Sequence, residues 1–347
     1  MELSKSYSQL TVILYFEKTA TIYFFFLLIS FSIFYRMSKS KTMLREYETE
    51  LANTYKDSSA WVGPGVYQIP INTNKEGTLI KYGYELIKHT SVYFGPKGTL
   101  QQTTNGMNCT NCHLEAGTKP WGLNFGSVYS TYPKFRARSG SIETIYKRVN
   151  DCFERSLNGK ALDTNSKEMK AIYAYIKWLG NKVPKGVKVN GSGIEAIPFM
   201  QTAADVTKGE MVYTKHCSSC HGTDGAGKTQ ANGDYFLYPP LWGKQSYNDG
   251  AGMNQITKLA GFVKNNMPNN SNYHQPVLTN EDAWNVAAFI NSHNRPYKDK
   301  TKDWPDLATK PIDYPIGPYV DGFSEKQHQI GPFKPIQEFY IKQTNKK

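Results

Sequence analysis

The sequence predicts a mainly α protein in which one small helical domain occurs twice, and three observations carry that expectation. The pattern Cys-x-x-Cys-His appears as CTNCH (Cys109, Cys112, His113) and again as CSSCH (Cys217, Cys220, His221). Each copy follows a glycine-containing segment of helical period and precedes a second helical segment. Between the copies, NKVPKGVKVNGSG (Asn181 to Gly193) is rich in Lys, Gly and Val, has no helical period and reads as a linker. The expected division is a hydrophobic N-terminal segment over 1–45, a first domain over 46–180, a linker over 181–200, a second domain over 201–298 and an extended Pro-rich tail over 299–347. With 347 residues, 39% of them hydrophobic, the chain has material for two cores of that size.

Two thiols separated by two residues and closed by histidine form the attachment signature of c-type haem. The spacing lets both sulfurs reach the vinyl groups of one porphyrin, while the adjacent histidine turns under the ring as proximal iron ligand. Zinc would need a second Cys or His pair for each motif, and none is spaced for it. Two covalently attached haem c groups are therefore expected, with His113 and His221 on the two irons. Covalent attachment takes place outside the cytoplasmic membrane, so the expected compartment is the periplasm. The run TATIYFFFLLISFSIFY (19–35) fits an export signal, and it is read either as a cleaved peptide or as an uncleaved anchor in the inner membrane. Basic residues on both of its sides give no orientation.

In the first domain TLIKYGYELIKHT supplies the opening helix with Gly83, and Asn165 and Glu168 open a later helix with Met169, Ile172, Ile176 and Leu179 on one face, closed by Gly180. The 26 residues from Gly83 to Cys109 leave SVYFGPKGTLQQTTNGMN as an inserted loop ahead of the motif. In the second domain a helix from about Val206 carries Gly209 eight residues before Cys217. TNED then starts a helix through Trp284, Val286, Phe289 and Ile290, with Thr279 as cap and Asp282 reaching back. Both halves resemble the class I cytochrome c fold, in which a glycine in the first helix lets an aromatic of the last helix pack closely across it. After Arg295 the chain, with WPDLATKPIDYPIGPY, is expected to lie extended over a domain.

A six-coordinate haem iron needs a distal ligand, commonly methionine or a second histidine. In the second domain Met267, 46 residues after His221 and followed by Pro268, is the leading candidate, with Met253, His274 and Lys264 as rivals. In the first domain no methionine or histidine occurs from Leu114 to Glu168, and the only soft side chain there is Cys152, 39 residues beyond His113. Cys152 is thus the leading distal candidate, with Lys119, Lys134, Lys147, Lys160, an open site or a ligand from another segment as alternatives. A helix from about Ile142 would put Arg148, Arg155 and Ser156 on the face of Cys152, and Arg136 and Arg138 can approach from the preceding loop. Arginines beside a thiol favour its thiolate, and their planar forks suit oxyanions.

The formal charge of +12 asks for an anionic partner or for solubility alone. Nucleic acid is excluded as the leading reading, because no binding motif is present and the basic residues are scattered.

The combination NGMNCTNCHLEAGT, YPKFRARSG, RVNDCFERSLNG and CSSCHGTDGAGK with NNMP resembles the dihaem thiosulfate dehydrogenases, over about Trp61 to Tyr297. That resemblance implies coupling of two thiosulfates to tetrathionate, or the reverse reduction, at a first haem ligated by His113 and Cys152. It implies that Arg138 and Arg148 bind sulfonate oxygens, with Ser156 near the same site. It also implies that the second haem, with His221 and Met267, exchanges electrons with a cytochrome or other redox partner. A dihaem electron carrier would need no anion pocket, and a dihaem peroxidase would need a haem that opens for peroxide; these are the two competing classes.

Overall fold

The computed structural model describes residues 61, 63–65, 68–69, 75–230 and 235–344, all of which belong to one compact unit. The hydrophobic run 19–35 lies outside the described residues. Among the described residues, no helix is long and apolar enough to cross a membrane.

Two helix pairs organise the chain. In the first, α1 (Lys75–Lys88) crosses α3 (Lys167–Gly180), which buries Met169, Ala171, Ile172, Tyr175, Ile176 and Leu179. The cap of α3 is Ser166, whose hydroxyl accepts from the Met169 N–H, one residue beyond the expected Asn165. A Cβ on Gly83 of α1 would fall onto the Ala171 carbonyl oxygen and lie 2.9 Å from the Tyr175 Cβ. In the second pair, α4 (Val206–His216) crosses α6 (Asn280–Asn291), and a Cβ on Gly209 would fall onto the Asn285 carbonyl oxygen and lie 2.8 Å from the Phe289 Cβ. The two crossings are therefore equivalent: glycine against a backbone carbonyl, with an aromatic one turn later. Thr279 and Asp282 form the expected reciprocal cap on α6. A third helix, α5 (Ile256–Asn266), packs on α6 and completes the second core around Trp284 and Phe289.

The stretch before Cys152 departs from expectation. Rather than one helix from Ile142, it forms a hairpin of β1 (Lys134–Arg136) and β2 (Ser141–Glu143), with Phe135 opposite Ile142, and only then α2 (Ile145–Asp151), capped by Thr144. The hairpin is possible because Gly140 takes the left-handed conformation at φ 60°. Beyond α2 the chain widens into a π-helical turn, Cys152–Ser156, in which the Leu157 N–H donates to the Cys152 carbonyl five residues back.

The segment expected as a linker is stitched down along its length. Gly191 and Gly193 carbonyls accept from the Trp121 and Leu123 N–H groups at 2.7 and 2.9 Å, and the Glu195 carboxylate accepts from Asn265 at 2.7 Å. The tail is not extended throughout, as the sequence suggested. It ends in α7 (Glu325–Ile330) and α8 (Lys334–Thr344), and Phe333 and Ile336 are buried in the second core. Their anchor is aromatic: Phe333 stacks near Trp284 and Phe199, with centroids 5.7 and 5.3 Å away.

Candidate active site

Each Cys-x-x-Cys-His motif turns the same way. The His113 N–H lies on the Cys109 carbonyl at 2.9 Å, as the His221 N–H lies on that of Cys217. Each imidazole is then fixed through one nitrogen: His113 Nδ1 donates to the Leu123 carbonyl at 2.6 Å, and His221 Nδ1 to that of Pro239 at 2.8 Å. A carbonyl only accepts, so the tautomer is set and Nε2 is left with its lone pair for a metal. The Leu123 carbonyl reaches His113 from a left-handed residue, φ 56°, in a stretch where Glu115, Ala116 and Trp121 also have positive φ. That strained run is held by the straps to Gly191 and Gly193, so the segment between the domains helps to orient His113.

The first motif opens on a cavity of about 420 Å³ whose lining includes Cys109, Cys112 and His113 together with Arg148, Cys152 and Phe153. Burial pushes the Cys109 and Cys112 thiols up to about 12 and pushes His113 down to about 4, so these groups are neutral in an apolar cradle. Cys152 is close enough to act electrostatically on both attachment thiols. Phe125 packs on the His113 ring at 4.4 Å between centroids. Three half-buried thiols, a histidine with one free nitrogen and a largely apolar lining fit a covalently held porphyrin.

Arg138, Arg148, Arg155 and Ser156 line the same cavity as Cys152. The guanidinium of Arg148 is held above its ordinary range, chiefly by the Cys152 sulfur beside it. Among the described residues Arg148 has no carboxylate within ion-pair distance. Arg138 donates to the Gly250 carbonyl at 2.9 Å, and its guanidinium lies over the Trp304 and Tyr314 rings. Arg155 departs from the expected role of a free fork: the π turn carries it to Asp303, which it grips through two bonds of 2.8 and 2.7 Å. Arg136 is likewise engaged, 3.9 Å from Glu143.

Of the alternative ligands, Lys134 lines the cavity, while Lys147 is paired with Asp151, and Lys119 and Lys160 are not among the lining residues. Met253, considered for the second iron, is buried in the second core and also lines the first cavity. Lys264 is bonded to Asn280, and His274 is exposed. Met267 ends α5, half-buried against the second core. Sequence reasoning missed Lys188, Gln255 and Lys258, which reach the first cavity from the linker and the second domain. A search confined to the interval after His113 had no signal for them.

Fold and site together define a dihaem c-type cytochrome, with two covalent haem c groups on two cytochrome c domains. Residues 99–184 match the family model "SoxA/TsdA, cytochrome c domain", and residues 206–294 match "Cytochrome c". The chain is 36% identical to the thiosulfate dehydrogenase of Stutzerimonas stutzeri over 67% of its own length and 74% of that protein's. It is 41% identical to the thiosulfate dehydrogenase of Allochromatium vinosum over 57% of its length and 74% of the relative's. Thiosulfate dehydrogenase (TsdBA) from Marichromatium purpuratum superposes with a TM-score of 0.63 at 30% identity, covering 70% of this chain and 50% of that one, so this chain spans half the length of that structure. The chain belongs to the thiosulfate dehydrogenase family.

Proposed function

We propose that the protein oxidises two thiosulfates to tetrathionate, and can run the reverse reduction, at the cavity that Cys152 shares with Arg138 and Arg148. The observation that carries this reading is a thiol that shares a cavity with an arginine lacking an acidic partner among the described residues, within electrostatic reach of both cysteines of the first motif. His113 and Cys152 are the ligands we assign to the first iron, and His221 and Met267 those we assign to the second. Two bound haems would supply two one-electron acceptors, one at each motif, for the two electrons that the oxidation releases.

The chain's own residues do the rest. Arg138 and Arg148 draw the thiosulfate dianion into the cavity and hold its sulfonate oxygens. Ser156, on the same wall, offers a further hydroxyl to those oxygens. The Cys152 thiolate bonds to the outer sulfur of the first thiosulfate with loss of two electrons, leaving a protein-bound Cys–S–S–SO₃⁻ group. A second thiosulfate attacks the same outer sulfur, expels the Cys152 thiolate and leaves as tetrathionate. Arg148 stabilises the thiolate both as nucleophile and as leaving group. Electrons pass on to an external redox partner. Covalent haem supports a periplasmic reaction, with 19–35 as an export signal or an anchor.

The test is Cys152→Met. Both haems should remain attached and turnover with thiosulfate and an artificial acceptor should collapse, since a thioether cannot form and release the adduct. Parallel assays with tetrathionate plus donor and with peroxide separate the reading from the carrier and peroxidase classes. A variant that couples thiosulfate at the wild-type rate ends it.

A further inference from the structure

Two of the cavity's arginines meet a segment that lies beyond residue 294, where the second cytochrome c match ends. Asp303 occupies both ends of the Arg155 fork, with only 12% and 8% of the two side chains exposed. The next residue, Trp304, donates its N–H to the Arg138 carbonyl at 2.7 Å from a left-handed conformation, φ 61°, that a bulky residue rarely adopts. Its ring and that of Tyr314 lie 5.4 and 5.7 Å from the Arg138 guanidinium, and Trp304 and Tyr314 are themselves buried. Both arginines also donate to one acceptor, the Gly250 carbonyl, at 2.9 and 3.3 Å.

The consequence for Arg138 differs from that for Arg155. Arg138 is held by aromatic faces and one carbonyl, none of which cancels its charge, so its remaining N–H groups are left for an anion. Arg155 spends its fork on a carboxylate and has no charge to offer. Of the arginines around Cys152, Arg138 and Arg148 are therefore the two without an acidic partner among the described residues. With Lys134, Lys188 and Lys258, which also line the cavity, these two guanidinium groups already exceed the charge of one dianion. A third would hold a dianionic product as well as a dianionic substrate, and release would slow.

We propose that Asp303, Trp304 and Tyr314 are positioning residues that complete the anion site, Asp303 by withdrawing Arg155 from it and the two aromatics by holding Arg138 in it. This deepens the proposed function and rests on it for the identity of the anion. The site's charge is then set by a segment about 150 residues distant in the chain from the arginine it neutralises.

The experiment titrates holoprotein calorimetrically with sulfate, an unreactive oxyanion dianion, and follows steady-state turnover of thiosulfate in the same variants. Asp303→Asn frees a charge-assisted donor pair, so sulfate should bind about tenfold tighter, with thiosulfate KM and kcat both lowered. Asp303→Glu should keep the wild-type values. Tyr314→Leu should weaken sulfate by about tenfold and raise KM, because Arg138 loses a face. The double substitution Asp303→Asn with Arg155→Gln should return sulfate affinity to the wild-type level, and it serves alone if the single Asn variant does not fold. Damage to the fold would weaken binding in every variant, whereas the proposal requires opposite signs. Weaker or unchanged sulfate binding in Asp303→Asn, or a double variant that binds about tenfold worse than wild type, overturns it. A wild-type protein inactive on thiosulfate would remove the proposed reaction and leave the sulfate comparison standing.

Discussion

Replacing Arg148 by Lys and by Gln separates what its fork does from what its charge does. The guanidinium faces the cavity, has no carboxylate within ion-pair distance among the described residues, and has the Cys152 sulfur as its strongest electrostatic neighbour. Lysine keeps the charge and gives up one of two parallel bonds to a sulfonate, about 1.5 kcal/mol, or roughly tenfold in kcat/KM. Glutamine gives up the charge as well, on the order of 3 kcal/mol or roughly a hundredfold, and its effect extends to kcat because the Cys152 thiolate loses its cation. Neither change strands a buried partner, so the urea midpoint of unfolding should hold or rise. The assay is thiosulfate-dependent reduction of an artificial acceptor, with unfolding followed on the same preparations. Unchanged kcat/KM in Arg148→Gln, or a loss of activity matched by a loss of folded protein, would refute the reasoning.

Gly209→Ala presses a Cβ onto the Asn285 carbonyl and should cost about 1–3 kcal/mol of stability after the gain in helix propensity, read from the urea midpoint. An unchanged midpoint would mean that α4 and α6 can part freely. Met267→Gly should abolish the weak near-infrared methionine-to-ferric band of the second haem, whereas Met253→Gly, in the other cavity, should leave it intact. Intact mass after expression with haem-maturation machinery should exceed the apo mass by two haem units, and a gain of one would exclude one of the motifs.

What could be read from the sequence was local. The two motifs, the caps at Thr279 and Asp282, and the crossing glycines Gly83 and Gly209 are signals of short range, and each has its expected setting. Cys152 stood out because it was alone in an interval empty of other soft ligands, and the cavity does contain it. Arg155 was misread because a regular helix was assumed, while the π turn rotates everything after Cys152 and only the bond from Leu157 back to Cys152 reveals it. Lys258 and Met253 line the site, and Asp303 acts on it through Arg155, from far along the chain, where neither periodicity nor spacing carries information about contact. The tail helices were missed because Pro and Gly around them outweighed the short apolar pattern of Phe333, Ile336 and Tyr340.

The grip of Asp303 on Arg155 spans 148 residues, and it orders events during biogenesis. A chain made from its N-terminus presents Cys109, Cys112 and His113 well before Asp303 and Tyr314. The first motif is thus present while Arg155 still lacks the carboxylate that later grips it. Arg155 and Arg138 take their final settings only when that later segment is made, so the motif and the fixing of its arginines are separated in time by position along the chain alone.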